Sequence, residues 1–185
     1  MKIFTKLIMY FFIVLGTIVV GFLGYYFISV SGQIVEVTRK EIVLEKLDEI
    51  GFNRDIMKSA GFSDELVRDF EKDPEKFRWI VFVTELNNRS NVAQVVDIKF
   101  KSQLPEDLQK RVVWIDEESV ANYLEPSEKR GEGVAAILKL EEGDTEQKIL
   151  DMAKKARITI TGRKMGFLFN HGTFSITVTY SGNGT

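Results

Sequence analysis

The sequence predicts a mainly β protein, an antiparallel two-sheet sandwich with a short inserted helix, preceded by a transmembrane helix and a small helical region. Three observations lead to this fold class. A long uncharged apolar run follows the first six residues, apolar residues alternate with polar ones in several segments after Arg78, and no βαβ alternation of strands with helices is evident. A single sheet covered by helices on one face, an α+β arrangement, is the alternative.

The apolar run predicts a transmembrane helix over residues 7–30, after a cytoplasmic N-terminus of residues 1–6. As a helix this run would be roughly 36 Å long, enough to cross a hydrocarbon core of about 30 Å with some tilt. Lys2 and Lys6 precede it, so the positive-inside rule places the N-terminus in the cytoplasm and the remaining chain outside the cell membrane. A cleaved signal peptide ending near Ser31 is the alternative, although the run is longer than signal peptides need.

A face of small residues lies within this run and consists of Thr17, Gly21 and Gly24. Such a face can let two membrane helices approach closely, but small residues are also common in membrane helices that lack this role. We therefore expect membrane lipid around residues 7–30 and keep helix packing at this face as a hypothesis.

Residues 31–76 are predicted to form a membrane-proximal helical region. Five apolar residues between positions 33 and 50 approach helical spacing: Val35, Ile42, Val43, Leu47 and Ile50. Gly51 would end that helix. Asn53 is then predicted to cap a short helix that reaches Ser59, and Ser63 a second one over residues 64–71.

Residues 77–181 are predicted to form the sandwich. Residues 79–86 and 92–101 are interpreted as an antiparallel hairpin, in which Val96, Ile98 and Phe100 face the same side. Further strands are predicted over residues 111–116 and 134–140, with a long polar connection between them.

The C-terminal part predicts the inserted helix and a last hairpin. Asp144, with Gln147 three residues later, indicates a helix N-terminus, and residues 158–161 form a strand. Residues 165–169 and 173–180 are predicted to pair across a three-residue loop, Asn170-His171-Gly172. Four side chains of the final strand should face inward: Phe174, Ile176, Val178 and Tyr180. Residues 182–185 are expected to be a flexible tail.

In strand pattern, this chain resembles the immunoglobulin-like extracytoplasmic modules carried on single-pass anchors in many bacterial envelope proteins. The resemblance rests on six or seven short strands separated by turns, and the Cys…Trp…Cys signature is absent. It implies a fold and transfers no residue-level function.

The composition excludes several chemistries. The sequence has no cysteine, so disulfides, thiolate metal sites and thiol catalysis are ruled out. The single histidine, His171, is interpreted as a turn residue, and the acidic residues at 116–118 and 141–144 as solvated loop or capping residues. No nucleophile, P-loop or dinucleotide motif occurs. We therefore predict no catalytic, metal-binding or cofactor-binding residues and no enzyme activity, and keep a carboxylate-based hydrolase as a third hypothesis.

The net charge of the chain argues against nucleic acid as a partner. The chain has 25 basic and 27 acidic residues, and without Lys2 and Lys6 the remainder has 23 basic residues against 27. A slightly acidic domain lacks the clustered basic face that nucleic acid requires.

The connection over residues 117–133 is the most interesting surface, because long irregular loops often bind partners. Tyr123, Leu124 and Pro126 form a possible partner-binding patch, and pinning of the loop to the core is an equal alternative. We expect a membrane-anchored module that binds another envelope protein or supports a membrane complex. A ligand- or ion-sensing domain that signals through its anchor is the second hypothesis, and the oligomeric state is left open.

Overall fold

The computed structural model describes residues 2–117, 122–166 and 170–181, with side chains from Lys6 onward. A long helix, α1 (Lys2–Val30), precedes eight described strands, which form two antiparallel four-stranded sheets. The mainly β, two-sheet prediction is therefore confirmed, and the α+β alternative is wrong because both faces of the core are sheets.

The strands divide between the two sheets as follows. The first sheet has the order β1 (Val35–Lys46), β2 (Phe77–Asn88), β6 (Lys129–Lys139) and β4 (Val112–Asp116). The second has the order β5 (Tyr123–Leu124), β3 (Ala93–Gln103), β7 (Arg157–Gly166) and β8 (Asn170–Thr179). The core lies between the sheets because alternate residues of the strands point inward, as Ile80 and Phe82 do from β2 and Ile158 and Ile160 from β7.

Helix α1 contains one segment, Lys6–Val30, that is long and apolar enough to span a membrane. This segment of 25 residues has a mean hydropathy of 2.5 over its most apolar window. Its side chains from Leu7 to Phe22 are exposed in the isolated chain.

The predicted helix over residues 33–50 is wrong, because this segment forms β1 along the edge of the first sheet. A register shift between Val37 and Arg39 moves the inward-facing positions by one residue. Val37 therefore packs on the core before the shift, and Ile42 and Leu44 after it. This change of phase gives a period-two strand the apparent spacing of a helix.

The two short helices that follow β1 are confirmed: α2 (Arg54–Ser59), capped by Asn53, and α3 (Asp64–Lys72), capped by Ser63. They pack on the outer face of the first sheet, where Trp79 and Trp114 stack with their ring centroids 5.8 Å apart. β1 has 12 residues and is therefore about 40 Å long, and α2 and α3 follow its end, whereas α1 precedes its start.

The predicted hairpin of residues 79–86 and 92–101 is wrong, although both strands exist. β2 pairs with β1 and β6, whereas β3 pairs with β5 and β7, so the chain crosses between the sheets after Asn88. Val96 is only half-buried and Val95 is buried instead, because β3 shifts register at Asp97, which has a φ of 53°. Ile98 and Phe100 are buried as predicted.

The strands predicted over residues 111–116 and 134–140 are confirmed as β4 and β6, although β6 begins earlier, at Lys129. A short helix that the sequence did not predict, α4 (Glu106–Gln109), precedes β4. The inserted helix is α5 (Glu146–Ala153), and Thr145 caps it. The prediction of Asp144 as the cap is wrong because its carboxylate binds Arg111 instead.

The predicted strand over residues 158–161 and the described part of the one over 165–169, residues 165–166, belong to one strand, β7, which pairs with β8. The predicted loop Asn170-His171-Gly172 is wrong, because these residues begin β8. Gly172 has a φ of +91° and lies at a register shift in this pair. The inward-facing side of the last strand is confirmed, since Val178 and Tyr180 are buried and Phe174 and Ile176 half-buried. Residues 167–169 and the predicted tail, residues 182–185, lie outside the described residues.

Candidate functional site

The C-terminal end of α1 is packed into the sandwich. Tyr26 and Val30 are each 2% exposed, whereas Tyr25 is 52% exposed. The Tyr26 hydroxyl lies 2.9 Å from Nε2 of His171 in β8, and the two rings meet edge to face with centroids 5.2 Å apart. The helix is therefore in direct contact with the second sheet.

Gly166, the last residue of β7, provides the space for this contact. A Cβ atom at Gly166 would lie 1.8 Å from the Tyr26 hydroxyl and 2.6 Å from His171 Nε2. Any other residue would displace the tyrosine ring. We call the contact among Tyr26, Gly166 and His171 the joint, and the end of the sandwich that carries it the α1 end.

The residues between α1 and β1 are held as well. Lys164 Nζ donates a hydrogen bond of 2.8 Å to the Gly32 carbonyl, and the Arg89 N–H donates one of 2.7 Å to the Ile34 carbonyl. Ile34 is 4% exposed. The chain thus passes from α1 into the first sheet without a free linker.

The interpretation of His171 as a turn residue is wrong, because its ring belongs to the joint. Sequence reasoning missed this contact because Tyr26 and His171 are separated by 145 positions. The cluster of Tyr25, Tyr26 and Phe27 was visible in the sequence, but an aromatic belt at a membrane surface explains such a cluster equally well.

The small-residue face of α1 has no partner within the described chain. Thr17, Gly21 and Gly24 are exposed, and the Thr17 hydroxyl donates to the Ile13 carbonyl of its own helix. At about 100° per residue, Gly21 lies about 180° around the helix from Val30. The face therefore points away from the docked side of α1, and helix packing there stays a prediction.

The predicted partner-binding patch of Tyr123, Leu124 and Pro126 is only partly accessible, and residues 118–121 of the same connection lie outside the described residues. Leu124 is fully buried, pairs with Val95 in β3, and its carbonyl accepts a hydrogen bond from the Asn88 amide. Pro126 is half-buried. Tyr123 is 43% exposed, with the Arg130 guanidinium 5.5 Å from its ring centroid. Leu124 thus pins the loop to the core, and Tyr123 is the exposed member of the predicted patch.

A groove of about 670 Å³ separates two strand edges on one side of the sandwich, β1 in the first sheet and β8 in the second. Val37, Ile176 and Val178 contribute apolar lining, and Arg39, Lys40 and Glu85 the charges. Lys40 Nζ donates a hydrogen bond of 2.7 Å to the Thr179 carbonyl across the groove. The sequence did not predict this groove because strand pairing alone decides which edges meet.

A buried ion pair lies outside the groove and the joint. Arg111 Nε and Nη2 lie 2.6 and 3.0 Å from the two carboxylate oxygens of Asp144, whose side chain is fully buried. The Arg111 guanidinium is the main reason why the pKa of the Asp144 carboxyl is well below its ordinary value. The interpretation of Asp144 as a solvated loop acid is therefore wrong. Its geometry is that of a structural clamp between β4 and the start of α5.

No group of three or more His, Asp or Glu side chains in residues 2–117, 122–166 and 170–181 is arranged to hold a metal ion. No family model matches the sequence, and no curated protein matches it with significant similarity.

Proposed function

We propose that the chain is a single-pass, membrane-anchored extracytoplasmic module that binds another envelope protein or supports a membrane complex, without enzyme activity. The observation that carries this proposal is the joint. A helix apolar enough to span a membrane ends in direct contact with the sandwich, so the domain is held at a fixed height and orientation above the helix. A direct contact between anchor and domain suits a module whose binding surface contacts its partner at a defined distance from the bilayer.

Helix length supports the same proposal. Residues Leu7–Tyr25 span about 28 Å, close to the thickness of a hydrocarbon core. Tyr26 and Val30 then lie inside protein rather than lipid. The lysines before α1 favour a cytoplasmic N-terminus, and with it an extracytoplasmic sandwich.

The strand order favours an immunoglobulin-like sandwich, which is a fold common among binding modules. β1-β2-β6-β4 follows the order ABED of the constant-type immunoglobulin sheet, and β3-β7-β8 follows the order CFG. β5 is a two-residue edge strand of the second sheet that the constant-type fold lacks, and it follows β4 in the chain. This likeness is part of the proposal and supplies no binding residue.

Cross-linking in intact membranes tests the proposal. The full-length chain, with a photoreactive p-benzoylphenylalanine in place of Tyr123, should yield an adduct with another envelope protein that mass spectrometry identifies reproducibly. The same residue in place of Gln147, an exposed position on α5, is the matched control. Absence of any adduct from every exposed position, together with turnover of a wall or lipid substrate by the purified chain, would overturn the proposal.

A second candidate, ligand sensing through the anchor, is favoured by one observation. β8 lines the groove and also carries His171 of the joint, so an occupant of the groove would touch the strand that contacts α1. The groove volume lies within the range of roughly 300–1,000 Å³ typical of small-molecule sites. A rise in the thermal unfolding midpoint of the full-length chain with calcium or a panel of small ligands would favour sensing over protein binding.

A further inference from the structure

The two sheets end in four edge strands, and β8 differs from the other three. β1 carries charged residues along its length and a register shift, β4 has five residues and a shift, and β5 has two residues. β8 has ten residues, Asn170–Thr179, without a single Asp, Glu, Lys or Arg. Charges, irregularities and shortness are the usual means by which proteins prevent an edge strand from pairing with another chain. β8 lacks all three over most of its length.

The side chains of β8 determine what can pair with it. Thr173, Ser175, Thr177 and Thr179 are exposed on its outer face. Ile176 and Val178 lie on the opposite face, where they line the groove with Val37 of β1. A strand added along β8 would place every second side chain in this groove and the others beside the exposed hydroxyls, so it must alternate apolar with polar residues.

The charge at one end of the groove adds a further requirement. Among the described residues, Lys40 forms no ion pair, and its ammonium group contacts the Thr179 carbonyl. Arg39 beside it is already paired with Glu41. A carboxylate on the incoming strand near Thr179 would therefore meet a cation that has no acidic partner.

The direction of β8 argues against antiparallel pairing with a second copy of this chain, and its lack of Asp and Glu argues against parallel pairing, because a second β8 offers Lys40 no carboxylate. β8 starts at the joint, with His171 beside Tyr26, and runs away from the α1 end. An antiparallel pair of two β8 strands would place the two α1 helices at opposite ends of the dimer. Two copies anchored in the same membrane cannot adopt that arrangement.

We propose that the outer edge of β8 accepts, as an added strand, an extended segment of another envelope protein with alternating apolar and polar residues and a carboxylate beside Lys40. This inference rests on the proposed protein-binding function and names its surface and the chemistry of its partner. Addition of a strand to a free edge is an established mode of peptide recognition.

The test uses the full-length chain in intact membranes, with p-benzoylphenylalanine in place of Thr177 on β8. The expected result is an adduct with another protein, in which the cross-linked segment alternates apolar with polar residues and has Asp or Glu at the end near Lys40. An adduct with a second copy, or with a segment that does not alternate, would overturn the inference. If Tyr123 yields an adduct and Thr177 does not, the inference fails and the proposed function stands. If neither yields one, the inference fails, and the proposed function fails with it when every other exposed position also gives no adduct and the purified chain turns over a wall or lipid substrate.

Charge reversal tests the carboxylate separately. Lys40→Glu should lower the yield of the Thr177 adduct by at least about fivefold, because repulsion replaces attraction at the end of the strand. Lys101→Glu, the same change at an exposed position on β3, should leave the yield within about twofold. Equal yields of the Thr177 adduct from the two variants would show that Lys40 is not part of the proposed site.

Discussion

Gly133 and Gly131 lie two residues apart in β6 but meet different surroundings. A Cβ atom at Gly133 would lie 2.5 Å from the Phe82 carbonyl oxygen in the paired strand, whereas one at Gly131 meets nothing within 4 Å. Gly133→Ala should therefore lower the free energy of unfolding by about 2 kcal/mol, and Gly131→Ala should change it by less than about 0.5 kcal/mol. Urea unfolding of the full-length chain in detergent micelles, followed by tryptophan fluorescence, measures both. Equal effects would contradict the close packing of β2 against β6.

The Asp144 carboxyl makes the stability of the folded chain depend on pH in the acid range. Because Arg111 lowers the pKa of this carboxyl in the folded chain below the value of about 4 in the unfolded chain, its contribution is complete above about pH 5 and is lost as the pH falls through that lower pKa. Asp144→Asn should cost about 2 kcal/mol at pH 7, since it removes the buried carboxylate that holds Arg111 and leaves this buried guanidinium paired only with the exposed Glu141.

Thermal unfolding of both chains between pH 7 and pH 3 checks this prediction. The unfolding midpoint of the native chain should fall more steeply with acid than that of Asp144→Asn. Asp151→Asn is the control, because Asp151 is exposed and pairs only with surface groups, and it should behave like the native chain. Parallel pH profiles for the native chain and Asp144→Asn would contradict a coupled ion pair.

Among the elements, strands with a regular period were predictable and strands with a register shift were not. The alternation in residues 173–180 predicted correctly which side of β8 faces inward. In β1 and β3 a shift reverses the inward phase partway along, so the pattern predicts a helix for β1 and places Val96 on the same side as Ile98 and Phe100. The β-branched residues of β1, such as Val35, Val37 and Thr38, were the available signal for a strand, but its charges favoured the helical interpretation.

A methyl group added at Gly166 should weaken the contact between α1 and β8 in the joint. Gly166→Ala should displace the Tyr26 ring from His171, because the new Cβ would overlap the tyrosine hydroxyl. The backbone amides of residues 31–35 should then exchange hydrogen at least about tenfold faster, since the contacts that hold this connection are weakened. Hydrogen exchange of the full-length chain in micelles measures this, with Gly131→Ala as control. Unchanged exchange in Gly166→Ala would show that the joint does not hold the connection.

For the whole molecule, composition and local pattern predicted the anchor and the sandwich, but contacts between distant residues had no local signal. The joint unites Tyr26 with His171, and the groove unites β1 with β8, and each depends on which strands become neighbours. The expected partner loop illustrates the same limit. Its polarity suggested a surface, yet Leu124 is fixed in the core by pairing with β3.

The direction of the chain across the membrane is the prediction on which the proposed function depends most. The sequence has no cysteine, so a single introduced cysteine reports one position without background. Lys101→Cys, at an exposed site on β3, should react with a membrane-impermeant maleimide in intact cells, and Ile3→Cys should react only after lysis. The lysines before α1 are expected to hold the N-terminus in the cytoplasm, so the two cysteines should differ in every preparation of intact cells. The opposite labelling would mean that the sandwich does not face the envelope and that its partner must be sought inside the cell, and release of the full-length chain from membranes by alkaline carbonate would mean that α1 does not span the membrane.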